Sequence, residues 1–366
     1  MRWINVLNKA HSRTVDQHYL TEFEIASECR IPGLWSYQGG LLRSHLLTTE
    51  KDEKGLYRYL VQITDVNYND NDRDEWKNAD AEGYYLPGPP SEELMALFGL
   101  FFRSRFYLIS WSYRELNSND TILKNLHRFT YITCRPEIHP QIFDLPNTRN
   151  WGKDLDDFFD QIRRMPDHLH PKFALACLHY LKALREVGVD QEMVFIRLVS
   201  AIECLMPTPQ DLPDDPFPEE LESFCNPDAL KPDAKRSLED WFYKHRRIRY
   251  RFLSFIMRYH ASYPLPAEYG YLADEKKMRS CLNTIYTARS KYLHEARPMY
   301  LNDLRSQAQG SFINCKPTDP GIIRGQCKWT IGEMLPKSYL FEGLVRHCLL
   351  SYLKENSDST AVKKRL

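Results

Sequence analysis

The strongest constraint on this chain is a series of long apolar stretches with helical spacing that begins at about residue 155. "QEMVFIRLVSAIECLM" (Gln191–Met206) is apolar nearly all round. A helix with apolar residues on every face has no side to offer water, so the stretch predicts a central helix of a bundle. Ahead of it, "PKFALACLHYLKALREV" (Pro171–Val187) has Pro in its first turn, where a missing N–H does no harm. The "VGVD" between them is a short turn, which makes the two helices antiparallel neighbours. "LDDFFDQIRRM" (Leu155–Met165) predicts a shorter helix before both. Further helices are expected over roughly Asp233–Ala261, Asp274–Glu295 and Ile331–Glu355.

The first 150 residues read differently. "LYRYLVQI" (Leu56–Ile63), "FYLISWSY" (Phe106–Tyr113) and "RFTYITC" (Arg128–Cys134) are rich in strand formers. "SEELMALFGLFFRSR" (Ser91–Arg105) opens with a capping Ser and two acidic residues, and reads as a helix. The expected fold class is therefore an α+β N-terminal domain over 1–150 followed by an all-α helical bundle over 151–366. A Pro-rich excursion interrupts the bundle at 207–220. A chain of 366 residues has the length for two such domains.

Composition excludes several classes. The 49 basic and 49 acidic residues cancel, so no global basic field draws in nucleic acid, and any contact with RNA needs a local patch. The longest apolar run, Leu94–Phe102, is too short to span a bilayer, and "MRWINVLNKAHSR" has no secretory h-region. A soluble cytoplasmic protein without membrane contact is expected. None of the nine Cys forms a C-x-x-C pair. They read as free thiols in a reducing compartment, with no metal and no small-molecule cofactor. "DVNYNDNDRDEW" (Asp65–Trp76) lacks the Gly and the closing Glu of a calcium loop and reads as a solvated loop.

One stretch offers chemistry. "TARSKYLHEA" (Thr287–Ala296) lies at the end of a predicted helix and holds Arg289, Ser290, Lys291 and His294. Metal-independent RNA cleavage uses the ribose 2′-OH as nucleophile. It needs a proton acceptor, a proton donor and a cation for the phosphorane. His titrates near neutrality and serves as acid or base. Arg keeps its charge and its fork matches two phosphate oxygens. Ser290 and His294 are four apart and share a face, whereas Arg289 and His294 are about 140° apart around the axis. A symmetric dimer that joins two helix ends would supply two His. The plainer reading is a set of basic residues favoured at a helix C-terminus by the macrodipole.

Spacing alone is weak, because roughly one Arg-x4-His pair is expected by chance. Arg13 with His18 lies in a polar N-terminal stretch, and Arg163 with His168 is interrupted by Pro166. Other residues supply context. Glu203 sits in the all-apolar helix, and a buried carboxylate needs a partner. That partner is either a structural group of the bundle or Arg289 or His294. "KHRRIRYRF" (Lys244–Phe252) is the densest basic cluster. Ile248, Phe252, Phe255, Ile256 and Tyr259 should face the core and turn Arg246, Arg247 and Arg251 outward, as a solvated face or a phosphate-tracking strip. Tyr286 and Tyr292 offer faces for a base, with packing as the plainer reading.

Two segments together carry a family resemblance. "IYTARSKYLHEA" (Ile285–Ala296) resembles the terminal motif of the HEPN superfamily, most closely its Apea-like branch, where a Tyr precedes an Arg-Ser pair and a His follows. "FIRLVSAIECLM" (Phe195–Met206) resembles the early core helix of that branch, with its Ala-x-Glu-x-Leu pattern. The resemblance covers roughly Leu155–Glu355. It implies an all-α bundle, a homodimer, and metal-independent endoribonuclease activity that leaves a 2′,3′-cyclic phosphate, with RNA as partner. Its catalytic pair falls on Arg289 and His294, with Ser290 after the Arg and Glu203 as the orienting acid. Lys291, Arg246, Arg247 and Arg251 would then bind RNA. The N-terminal domain would be an accessory or sensing unit, in keeping with a defence role. One departure is Glu295, where the family often has Gly after the His. Many HEPN proteins are non-catalytic and serve as RNA-binding or scaffolding modules, which is the alternative function.

Overall fold

The computed structural model describes residues 18–30, 34–37, 42–48, 50–66, 90–115, 121–126, 151–206, 233, 247–296, 299, 314–315 and 335–363. An antiparallel sheet region comes first and a mostly helical part follows. The sheet holds β1 (His18–Ser27), β2 (Leu34–Tyr37), β3 (Leu42–Leu46), β4 (Tyr57–Val66), β5 (Phe106–Glu115) and β6 (Thr121–Leu126) in the order β2-β3-β4-β1-β5-β6. Each neighbouring pair is antiparallel. β4 and β5 both run against β1, so they run parallel to each other, and helix α1 (Pro90–Phe102) makes the crossover between them.

The two faces of the sheet separate by residue type. Phe23, Ile25, Trp35, Tyr37, Leu42, Tyr59, Val61 and Ile63 are buried on one face. On the other, Arg58 bonds Glu24 at 3.2 Å and Gln62 bonds Glu22 at 2.7 Å. This alternation is the period-two pattern of a sheet covered on one side.

The covering layer begins with α1. Leu94, Leu97, Phe98, Leu100 and Phe102 are all buried, because the helix lies between the sheet and α3 (His170–Glu186). That position explains the longest apolar run of the chain: a helix with packing on two sides carries no polar stripe. Each such side chain contributes about 1.5–3 kcal/mol on burial. Gly99 admits α3 closely, since a Cβ there would lie 2.9 Å from Leu181 Cδ1. α2 (Trp151–Arg164) docks on the sheet through Trp35 Nε1, which donates to Asp156 at 2.9 Å, and Tyr37 Oη, which donates to Asp160 at 2.6 Å.

The remaining helices are α4 (Gln191–Glu203), α5 (Arg247–Tyr259), α6 (Glu275–Glu295) and α7 (Ser338–Lys363). A two-stranded pair, β7 (Asn314–Cys315) and β8 (Leu335–Pro336), precedes α7. Asp190 caps α4 by accepting from Met193 N, and Asp274 caps α6 by accepting from Lys277 N, each at 3.0 Å. One continuous core runs from Phe23 to Leu353, so the sheet and the helices share their apolar interior.

Polar locks join the same two parts. Arg105 is 1% exposed, pairs with Glu28, and reaches the Val187 carbonyl beyond α3, while Arg185 of α3 donates back to the Phe106 carbonyl at 2.9 Å. Arg103 follows α1 in the left-handed region (φ 52°) and donates to Glu342 of α7, which also accepts from Tyr180. Arg346 of α7 donates to the Leu100 and Phe101 carbonyls at 2.8 and 2.6 Å and so caps the end of α1.

Several expectations differ from the structure in extent. α7 starts at Ser338 and runs to Lys363, later at both ends than the pattern suggested. β1, β2, β3 and β6 are strands that periodicity did not mark. The strand expected over Arg128–Cys134, the excursion at 207–220 and all but the start of Asp65–Trp76 lie outside the described residues. Among the described residues, no helix is long and apolar enough to cross a membrane.

Candidate functional site

The motif occupies the last two turns of α6. The helix ends at Ala296, which takes the left-handed conformation (φ 51°, ψ 32°) and returns its N–H to the Lys291 carbonyl. Across from it, the largely apolar α4 ends at Glu203. α5 packs against both helices, with Phe252 in ring contact with Tyr286 at 5.2 Å.

These three elements assemble one polar corner. Arg289 Nη2 donates to Glu203 Oε2 at 2.6 Å, and the Tyr286 hydroxyl donates to Glu203 Oε1 at 3.3 Å. The guanidinium lies over the Tyr286 ring, 5.7 Å from its centre. The pair is mostly sheltered: the Arg289 and Glu203 side chains are 16% and 19% exposed. Arg289 Nε is buried and has no hydrogen-bond partner among the described residues. Between the two partners that the sequence left open for Glu203, the structure selects Arg289.

The electrostatics follow from burial. Burial raises the Glu203 carboxyl above its ordinary 4.5, and Arg289, the Tyr286 hydroxyl and Arg251 act against that rise. Burial and then the Glu203 charge push the Tyr286 hydroxyl up to about 12, so it stays a proton donor at neutral pH.

The other residues of the motif lie at the rim. Ser290 and Lys291 are half-buried, and His294 and Glu295 are exposed. Ser290 Oγ and the His294 ring make no hydrogen bond within the described residues. Tyr286 belongs to the core, and Tyr292 is half-buried and packs against it. Of the basic cluster, Arg246 lies outside the described residues. Arg247 is the first residue of α5. Arg251 departs from the outward position expected of it. It is half-buried, and its charge acts on Glu203 and Tyr286. Phe252, Phe255 and Ile256 are buried, with Ile248 and Tyr259 packed against the core.

Sequence reasoning missed Tyr286 as a hydrogen-bonding partner of Glu203. The signal was present, since Tyr286 lies three positions before Arg289 on the same helix face. The rival pair Arg163 and His168 is split as expected: α2 ends at Arg164, and His168 lies in a separate 3-10 turn, Asp167–Leu169. Cys29, Cys177, Cys204, Cys281 and Cys348 are free thiols. Among the described residues, no three or more His, Cys, Asp or Glu side chains are grouped to hold a metal ion.

No protein-family model, no curated protein and no solved structure matches this chain.

Proposed function

We propose that this protein is a metal-independent endoribonuclease of the HEPN type, acting in the cytoplasm and working as a homodimer through its helical part. The observation that carries this reading is the Glu203–Arg289 pair at 2.6 Å, with the exposed His294 following Arg289 in the last turn of α6. An Arg tethered by a carboxylate, with an exposed His one turn further on, supplies a cation for the phosphorane and a group that moves protons near neutral pH. Attack of the ribose 2′-OH would leave a 2′,3′-cyclic phosphate and a 5′-hydroxyl. In this scheme Arg289 stabilises the phosphorane and His294 acts as acid or base. Glu203 fixes Arg289, Ser290 steadies the reacting groups, and Lys291 and the start of α5 hold the backbone. The sheet region would sense a trigger, in keeping with a defence role; this part rests on the family resemblance alone.

A second reading has its own observation. Glu295 is exposed directly beside His294, and a carboxylate there repels phosphate. That favours a non-catalytic HEPN module that binds RNA or scaffolds a partner.

Incubation of total RNA in EDTA with the wild type and with His294→Ala separates the two. Cleavage by the wild type alone supports the nuclease. RNA binding with no cleavage by either protein supports the module. Equal cleavage by both removes His294 from the site.

A further inference from the structure

Tyr286 touches the candidate site at two points. Its hydroxyl donates to Glu203 Oε1 at 3.3 Å, and the Arg289 guanidinium lies over its ring, 5.7 Å from the centre. The two residues are three positions apart on α6, which sets the ring beside the side chain of the next turn. The ring is itself held. It is 8% exposed, and Phe252 of α5 packs against it at 5.2 Å with the two planes tilted by 43°. Three helices thus meet around one guanidinium: α6 supplies the cation and the ring, α4 the carboxylate, and α5 the wall behind the ring.

The contacts of Arg289 leave it one way to meet a ligand. Nη2 donates to Glu203 Oε2 at 2.6 Å, and Nε is buried. A phosphate therefore reaches the guanidinium from the Nη1 side. The bond to Glu203 alone does not decide where that side points, because a side chain held at one point still swings about it. A cation held over a ring face as well is fixed at a second point. A group fixed in advance loses little freedom when its ligand arrives, and that difference appears as affinity. The 3.3 Å bond from the Tyr286 hydroxyl is long for O–H···O, so the ring carries the larger share of the hold and the hydroxyl the smaller.

We propose that Tyr286 is a positioning residue that holds the Arg289 guanidinium with its Nη1 side toward a phosphodiester of single-stranded RNA. This rests on the phosphate-binding role proposed above for Arg289. Tyr286 does not itself touch the RNA: its ring belongs to the core, and its hydroxyl is engaged by Glu203. It acts directly on Arg289 through the ring, and indirectly through the carboxylate that Arg289 shares with it.

The test uses the full-length chain and a short single-stranded oligouridylate as probe, at low salt. Binding is measured for Tyr286→Phe and Tyr286→Leu, each in the wild type and in Arg289→Gln. Tyr286→Phe keeps the ring and its packing, and should weaken binding by only about threefold, the share of one hydrogen bond. Tyr286→Leu loses ring and hydroxyl, and should weaken binding about tenfold. In the Arg289→Gln background neither change should alter binding by more than about twofold, because there is no guanidinium left to position. A residue that only supports the fold would weaken binding equally in both backgrounds, and that result overturns the proposal.

A second readout needs no RNA. Nitrogen NMR of the arginine side chains, with Arg289 assigned by its loss in Arg289→Gln, reports how freely the guanidinium turns. A held guanidinium gives separate Nη1 and Nη2 signals, and a turning one gives an averaged signal. The two signals should be separate in the wild type and in Tyr286→Phe, and averaged in Tyr286→Leu. Signals that stay separate in Tyr286→Leu show that Glu203 holds Arg289 unaided, which overturns the proposal. If the wild type binds no RNA, the phosphate-binding reading fails, while the NMR signals still decide whether Tyr286 holds Arg289.

Discussion

Glu203 and Arg289 are 86 positions apart in the chain and 2.6 Å apart in the fold. The pair joins the end of α4 to the end of the helix that carries the motif. It fixes the position of the guanidinium, and it makes the motif depend on the packing of α4 against α6.

Arg289→Gln removes the cation and leaves the carboxylate sheltered, which should cost about 2 kcal/mol of stability at neutral pH. The cost depends on pH in a definite direction. The Glu203 carboxyl is already raised above 4.5 by burial. A carboxyl raised in the fold contributes stability below its unfolded value and loses that contribution as pH rises through its folded value. Arg289→Gln raises the folded value further. The variant should therefore lie closest to the wild type at pH 4 and furthest from it at pH 8. Urea unfolding at both pH values reads the difference; a gap that does not change with pH would remove the ion pair as its cause.

Arg289→Lys keeps the charge but loses the planar fork. If the nuclease reading holds, cleavage should fall about a hundredfold. Single-turnover rates with the wild type as reference would show it, and an unchanged rate would mean that the fork is not used.

His179 in α3 should make the protein acid-sensitive. Burial, and then the charges of Arg197 and Lys182, lower its value from 6.5 to about 4. Its Nδ1 is buried without a partner among the described residues. A lowered His contributes stability above 6.5 and loses it as pH falls through the folded value. His179→Leu should remove about 2–3 kcal/mol of the stability lost between pH 6.5 and pH 4. Parallel acid unfolding curves for the two proteins would contradict this.

Glu342 is fully buried and accepts from Arg103 and Tyr180. Glu342→Leu should destabilise by about 3–5 kcal/mol, because it strands the Arg103 charge. Arg103→Met added to Glu342→Leu should recover part of that loss. The melting temperatures of the two variants make the comparison, and a double variant no better than the single one would place the cost elsewhere.

Two backbone positions give opposite signs. Ala296→Gly at the left-handed cap of α6 should stabilise by about 0.5–1 kcal/mol. Gly343→Ala should destabilise by about 1–3 kcal/mol, since its Cβ would collide with the Tyr263 hydroxyl in mid-helix. Thermal melts of the two single variants suffice.

Helix periodicity is local, and it located α2, α3, α4 and α6 to within a few residues. Pro171 in the first turn marked the start of α3. The residue types of the candidate corner were legible for the same reason: a carboxylate in an apolar helix and an Arg-Ser-Lys-x-x-His run at a helix end stand out in any reading. What tertiary structure decided was pairing. β1 lies at the centre of the sheet although its own sequence mixes Glu and Thr with apolar residues, because its identity comes from hydrogen bonds to β4 and β5 on either side. Arg103 finds Glu342 from 239 positions away. Each of these contacts satisfies a charge or a backbone group that burial would otherwise leave unpaired. Burial is a property of the assembled layers, and no window of neighbouring residues contains it.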